Sequence, residues 1–186
     1  MTLKEVLADA EERMKKAVEH TKGELAKIRT GRASPELLHG VKVDYYGTPT
    51  PLVQLAAISV PEPRMLIVQP FDPNVRKDIA RAIELADLGV TVRDEGQVIR
   101  VIFPELSEET RAQLAKVAAR KAEEGKVAIR NIRRDARETL EEIKKAGGVS
   151  EDEVRRAQKQ LDELTEKYVE EVESLRKAKE EEIMTF

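Results

Sequence analysis

Leu3, Leu7, Ala10, Met14, Ala17, Thr21, Leu25 and Ile28 recur at steps of three and four residues. That spacing places them on one stripe of a helix running from residue 2 to about residue 29. Thr2 and Glu5 have the spacing of a capping box that starts it. At 1.5 Å per residue this helix is roughly 40 Å long. A stripe of that length has to be buried, so helices of similar length are required elsewhere in the chain.

Two candidates stand at the far end. Ser107 caps the first, with Glu108 and Glu109 suiting the positive end of the dipole. Leu114, Val117 or Ala118, Ala122, Ile129, Ile132, Ala136, Leu140 and Ile143 carry the helical period to about Ala146, and Gly147-Gly148 ends it. Gly125 in mid-helix costs about 1 kcal/mol relative to Ala. It is tolerated where something packs closely or where the helix bends, and both explanations stay open. The last helix starts at Ser150 and Glu153, a second capping box, with Val149 and Val154 as its hydrophobic staple. Val154, Ala157, Leu161, Leu164, Tyr168, Val172, Leu175 and Ala178 form its seam. The expected architecture is an antiparallel three-helix bundle, roughly 40 to 60 Å long at 1.5 Å per residue.

Between the first helix and the second, the character of the chain changes. Thr30-Gly31-Arg32-Ala33-Ser34-Pro35 breaks the helix, and most of the Pro and β-branched residues follow it. Strands are expected at 41–46, 57–60, 65–69, 90–92 and 97–103. Gly47-Thr48-Pro49 and Pro61-Glu62-Pro63-Arg64 read as turns, and Arg93-Asp94-Glu95-Gly96 as a hairpin loop. One helix interrupts them, capped by Asp72, with Pro73 in its first turn, Val75, Ile79, Ile83 and Ala86 on its face, and Gly89 at its end. The expected fold class is therefore α+β. Residues 1–30 and 105–186 make the bundle, and 31–104 make an inserted α+β domain. Only two crossings of chain join them, at Thr30-Gly31 and Pro104-Glu105, which suits a hinge.

The chain has 186 residues, no Cys and a net charge of −3. Disulfide and thiol chemistry are excluded, and no apolar run approaches the ~20 residues of a membrane span. The first residues are acidic and charged, unlike a secretory or organellar leader, so a cytoplasmic location is expected. Bulk charge does not point to nucleic acid, but its distribution does. Residues 126–137 carry five bases and one acid, whereas residues 150–186 carry seven bases and twelve acids.

Lys126, Arg130, Arg133 and Arg137 fall together on one flank of the second long helix, at the side of its apolar stripe. Arg134 continues the i,i+4 row from Lys126 and Arg130. Like charges at these spacings cost a helix a few tenths of a kcal/mol per pair. A solvated face is the plain alternative. The other helices, however, intersperse Glu with Lys, and this stretch does not. An external polyanion supplies the missing negative charge, and arginine's planar fork suits phosphate. Arg29 and Arg32 flank the hinge and either extend this surface or pair with nearby acids.

Catalytic machinery is not legible. There is no GxxxxGK[ST] phosphate loop, and His20 and His39 have no cysteines with which to hold a metal. Neither cofactor nor metal is expected. The paired carboxylates lie on solvated helix faces, with no pocket to shift them toward acid/base work. Tyr45-Tyr46 beside Gly47 suits stacking on bases or, more commonly, strand packing. The residues alone leave three readings: a factor binding structured RNA, a scaffold whose seams pair with another coiled coil, and, least supported, an enzyme.

The stretches 27–35 (KIRTGRASP), 43–52 (VDYYGTPTPL), Asp87-Leu88-Gly89 and 127–135 (VAIRNIRRD) resemble the bacterial ribosome recycling factor family, and the resemblance spans the whole chain. It implies an L-shaped, tRNA-sized monomer with a three-helix arm and a β/α/β arm. It also implies binding to the post-termination ribosome and subunit splitting together with elongation factor G, the GTP being hydrolysed by that partner. Contact with large-subunit rRNA would fall on Arg130 and Arg133, with Arg29 and Arg32 beside the joint. The chain departs from the family pattern at Val90-Thr91-Val92 and at Pro104-Glu105.

Overall fold

Local signals fix the helix starts. In the computed structural model, which describes residues 1–185, the Thr2 hydroxyl accepts the Glu5 amide at 3.1 Å and opens α1 (Leu3–Ala26). Ser107 does the same for Thr110 at 3.1 Å at the head of α3 (Glu108–Ala146). Ser150 accepts from Glu153 at 3.1 Å and opens α4 (Glu151–Thr185). Between α1 and α3 lie β1 (Lys42–Tyr45), β2 (Thr48–Pro51), β3 (Ala56–Glu62), β4 (Met65–Pro70), α2 (Arg76–Leu85), β5 (Thr91–Asp94) and β6 (Ile99–Ile102). The class is α+β. The chain divides into two units, Met1–Ile28 with Ala112–Glu181, and Arg29–Arg111 with the chain from Glu182 on.

In the first unit α1 and α3 run antiparallel, since Arg13 meets Asp135 and Glu24 meets Lys121. α3 and α4 are also antiparallel, with Arg133 on Asp162 and Glu141 on Gln158. Met14, Ile129, Leu140, Leu161 and Val172 are fully buried where the three seams meet. Burying each such side chain contributes on the order of 1.5–3 kcal/mol. Tyr168 closes the core from α4, its hydroxyl donating to Glu11 of α1 at 2.9 Å. Burial, aided by that carboxylate, pushes the Tyr168 pKa up to about 12.

Gly125 marks a close approach. A Cβ there would lie 2.2 Å from the Thr21 hydroxyl oxygen of α1, so glycine lets the two helices meet at this level. The bend that was the other possibility is not needed to explain it.

The seams differ in detail from expectation. α1 ends at Ala26 instead of near 29, and Val6 and Val18 are buried where Leu7 and Ala17 are only half-buried. Thr165 lies inside the α4 seam because its hydroxyl bonds the Leu161 carbonyl at 2.8 Å, which satisfies it without water. Ala178 is exposed, and the buried positions of α4 include Ile183.

In the second unit β3, β4, β6 and β5 pair antiparallel in that order, and β1 with β2 forms a separate ribbon. Leu66, Val68, Ile99 and Val101 point inward from the sheet and meet Ile79 and Ile83 of α2, with Leu38, Val43, Leu52 and Phe103 around them. The structure corrects the reading of Gly47-Thr48-Pro49 as turn alone. The turn is Tyr46-Gly47, and Thr48–Pro51 is strand β2. Two prolines disguised it, and they are tolerated because a two-stranded ribbon leaves each strand one edge free of ladder bonds. β3 likewise runs on to Glu62 into the stretch expected to turn, because Pro61 sits at a bulge on an edge strand, and the turn itself is Pro63-Arg64. Arg93 and Asp94 belong to β5, so the hairpin loop starts at Glu95, and β6 is confined to Ile99–Ile102. Asp72 caps a 3-10 turn at Pro73–Val75 that precedes α2.

Candidate nucleic-acid interface

α3 is the longest element of the chain, at 39 residues, and its core positions Ile129, Ile132 and Ala136 fix its rotation. With that face buried, Arg130, Arg134 and Arg137 are exposed, while Lys126 and Arg133 are half-buried beside α4. The structure thus brings all five cations onto one flank of one rigid helix.

The cations do not stand in equal surroundings. Lys126, at 17% exposure, is ion-paired to Glu173 of α4. Glu173 is also paired to Arg176, which reaches Glu180 at 2.6 Å. Arg176 first, then Lys126, holds the Glu173 carboxyl down at about 2, so it stays ionised at any physiological pH. Lys126 therefore serves as a strut between α3 and α4.

Arg133 is tethered through one edge only. Its Nε donates to Asp162 of α4 at 2.8 Å, with the two side chains 35% and 53% exposed. Among the described residues neither Nη group has a protein partner. The carboxylate holds the side chain in place while the outer edge of the fork faces away from it. Arg130 reaches Glu123, two helical turns earlier, at 3.3 Å, an exposed pair. Such pairs are worth about 0–1 kcal/mol and exchange readily for another anion. Arg134 and Arg137 make no ion pair among the described residues. Asp135 turns away and pairs with Arg13 of α1.

The acids that face this flank were not anticipated individually. Asp162 and Glu173 lie on α4, and the only sequence signal for them was the acidic balance of 150–186. Part of the basic charge is balanced inside the bundle, and the surplus sits at Arg130, Arg134 and Arg137 and on the outer edge of Arg133.

Arg29 and Arg32 belong to the other unit and are both exposed. Nη1 of Arg29 lies 2.9 Å from where a Gly89 Cβ would be, against a backbone turn with φ of +72°. The expected hinge residues lie in the same unit. Thr30 and Gly31 are buried, and Pro104 and Glu105 are exposed. The Thr30 hydroxyl donates to Glu182 at 3.4 Å and accepts the Arg32 amide at 3.2 Å. Glu105 pairs with Arg111 at 3.6 Å and with Arg64 at 3.9 Å.

Among the described residues there is no group of three or more His, Cys, Asp or Glu placed to hold a metal ion. Among the same residues no helix is long and apolar enough to cross a membrane.

The family model described as ribosome recycling factor matches residues 21–184. A ribosome-recycling factor of Halalkalibacterium halodurans is 52% identical over 181 residues, 97% of this chain and 98% of that one. One from Desulforamulus reducens is 50% identical over 182 residues, 98% of each. A solution structure of a ribosome recycling factor superposes with a TM-score of 0.76 at 43% identity, over 100% of this chain and 99% of that chain. A second structure, with a TM-score of 0.66 at 42% identity over 98% and 99%, is of the T. thermophilus ribosome recycling factor. It and the E. coli elongation factor G are bound there to the E. coli post-termination complex.

Proposed function

The chain belongs to the ribosome recycling factor family, and on that premise we propose how its parts act. It is a translation factor that binds the post-termination ribosome as a monomer. With elongation factor G it promotes subunit dissociation, in the cytoplasm, by binding and with no covalent chemistry of its own. Its contact with large-subunit rRNA is made by Arg130, Arg133 and Arg137 on α3, with Lys126 bracing their flank. Arg29 and Arg32 add to it beside the joint. The observation that carries this reading is the surplus of guanidinium groups on a long helix whose rotation the core fixes. A scaffold protein would keep an apolar stripe open for a partner coil, and here the three stripes close on one another.

The test is co-sedimentation with vacant ribosomes across a salt series. Log affinity is expected to fall linearly with log salt, as counterion release requires for several phosphate contacts. A salt-independent affinity rejects the polyanion interface.

The bundle, residues 1–30 and 105–186, and the insert, 31–104, are proposed to be separate domains joined at Thr30-Gly31 and Pro104-Glu105. Replacing 31–105 by a short Gly/Ser link between Thr30 and Leu106 should leave a helical chain that melts cooperatively. An unfolded far-ultraviolet circular dichroism spectrum would reject that partition. Bending at the joint is tested by Gly31→Pro, which locks φ near −65°. Ribosome binding should persist while recycling slows. Equal recycling rates for the two proteins would remove Gly31 from the mechanism.

A further inference from the structure

Acids run through α4, yet residues 155–161 carry Arg155, Arg156 and Lys159 and no acid. The RNA-binding reading uses none of the three. Their own helix gains nothing from them, because they stand near its N-terminal, positive end. All three are exposed, and with Asp152 they line one shallow cleft.

The core fixes where these cations stand. Val154, Ala157 and Leu161 are buried, which turns Gln158 and Asp162 toward α3. Arg155 precedes Gln158 by three residues and Lys159 precedes Asp162 by three, so both lie on the outer margin of that row. Arg156 points away from the core. Two bonds across the groove set the register, Arg133 Nε to Asp162 at 2.8 Å and Gln158 Nε2 to Glu141 at 2.7 Å. Arg137 lies between Arg133 and Glu141, so it stands opposite the turn that carries Lys159. The acids that face the groove are engaged from within the bundle, Asp162 by Arg133 and Glu141 by Gln158. Asp152 reaches Arg155 only at 3.5 Å, between side chains 78% and 76% exposed, a pair worth little. Among the described residues Arg137, Lys144 and Lys159 make no ion pair, although Glu163 stands one turn beyond Lys159.

Cations on both banks of one groove, with its acids already engaged, are complementary to a chain of phosphates. From Arg130 to Lys144 the groove is roughly 20 Å long at 1.5 Å per residue, long enough to follow a phosphate backbone. A protein partner is disfavoured there. Among the described residues no large exposed apolar side chain lies on either bank to serve as the anchor that dominates protein interfaces. We propose that Arg155 and Lys159 form a second row of phosphate contacts, so that large-subunit rRNA lies along the α3–α4 groove and is held from both helices. The inference rests on the rRNA-binding reading of α3 and extends that site to a helix it did not include. Contacts to phosphate add affinity and orientation without reading base sequence.

The test is the full-length double variant Arg155→Gln with Lys159→Gln, co-sedimented with vacant ribosomes across a salt series. Its affinity should fall about tenfold or more. The slope of log affinity against log salt should become shallower by about two, one for each phosphate no longer neutralised. The melting temperature should stay at the wild-type value, since both side chains are exposed. Lys15→Gln with Lys16→Gln removes the same charge from exposed positions of α1 and should leave affinity and slope unchanged. Unchanged affinity and slope in the α4 variant overturn the proposal. So does an equal loss in the α1 variant, which would make the effect one of bulk charge, or a drop of several degrees in the α4 variant, which would make the two cations struts. Arg133→Ala keeps the two readings apart. If it weakens binding and flattens the slope while the α4 variant does neither, only the second row falls. If neither differs from wild type, the α3 interface falls with it.

Discussion

Arg133→Ala is expected to weaken ribosome binding by one to two decades while leaving the melting temperature near the wild-type value. The stability side follows from the geometry of its one ion pair. Arg133 meets Asp162 at 2.8 Å between side chains that are 35% and 53% exposed. A pair so open to water contributes about 0–1 kcal/mol. Removing the arginine also relieves like-charge repulsion with Arg130 and Arg137 on the same flank. The binding side follows from the fork. A hydrogen bond to a charged group is worth roughly 1.5–3 kcal/mol, and each 1.4 kcal/mol is tenfold in affinity. The slope of log affinity against log salt should become shallower by about one for each phosphate that the variant no longer neutralises. Arg133→Lys should recover only part, because a point charge replaces a planar fork. The rival account makes Arg133 a bundle strut like Lys126. That account wins if the variant loses several degrees of stability while its affinity and salt slope stay at wild-type values.

Gly125→Ala is expected to destabilise the bundle although it improves the intrinsic propensity of α3. Alanine gains about 1 kcal/mol over glycine in a helix interior. Against that, the new Cβ would sit 2.2 Å from the Thr21 Oγ1 and within 3.2 Å of its Cγ2 and Cβ. The hydroxyl is bonded to the Ala17 carbonyl at 2.9 Å, and Thr21 is itself buried, so it has little room to turn away. Relief requires α1 and α3 to separate, which loosens Met14, Val18 and Ile129 nearby. Overpacking of this kind typically costs about 1–3 kcal/mol. Less the helix-propensity gain, the mid-range net loss is about 1 kcal/mol, which for a chain of this length is a drop of roughly 2–4 °C. Thr21→Ala in the same chain removes the hydroxyl and the methyl group, and should restore much of the loss. The two substitutions touch, so their effects should be strongly non-additive. A melting temperature that rises in the single Gly125→Ala variant would show that the helices do not pack this closely.

What the sequence by itself determined was whatever closes within a few residues. Thr2, Ser107 and Ser150 announce three helix starts because a cap bonds an amide three positions on. The three seams were legible because helical period puts the apolar side chains on one stripe, and a stripe that long has to be buried. The flank of Lys126, Arg130, Arg133 and Arg137 was legible for the same reason, since one helix carries it. Strand β2 was not, because Thr48-Pro49-Thr50-Pro51 has turn composition and becomes a strand only through its pairing with β1. The choice of Thr165 over Leu164 as a seam residue depended on packing against two other helices. So did the reason for Gly125, which lies in Thr21, a residue 104 positions away. The division of labour among the basic residues was equally hidden. Lys126 and Arg133 read alike in sequence, yet Glu173 engages the first and Asp162 holds only one edge of the second. A helix specifies its own faces through bonds four residues long, but the residues that meet those faces are set by the register between helices, and only the packed bundle fixes that register.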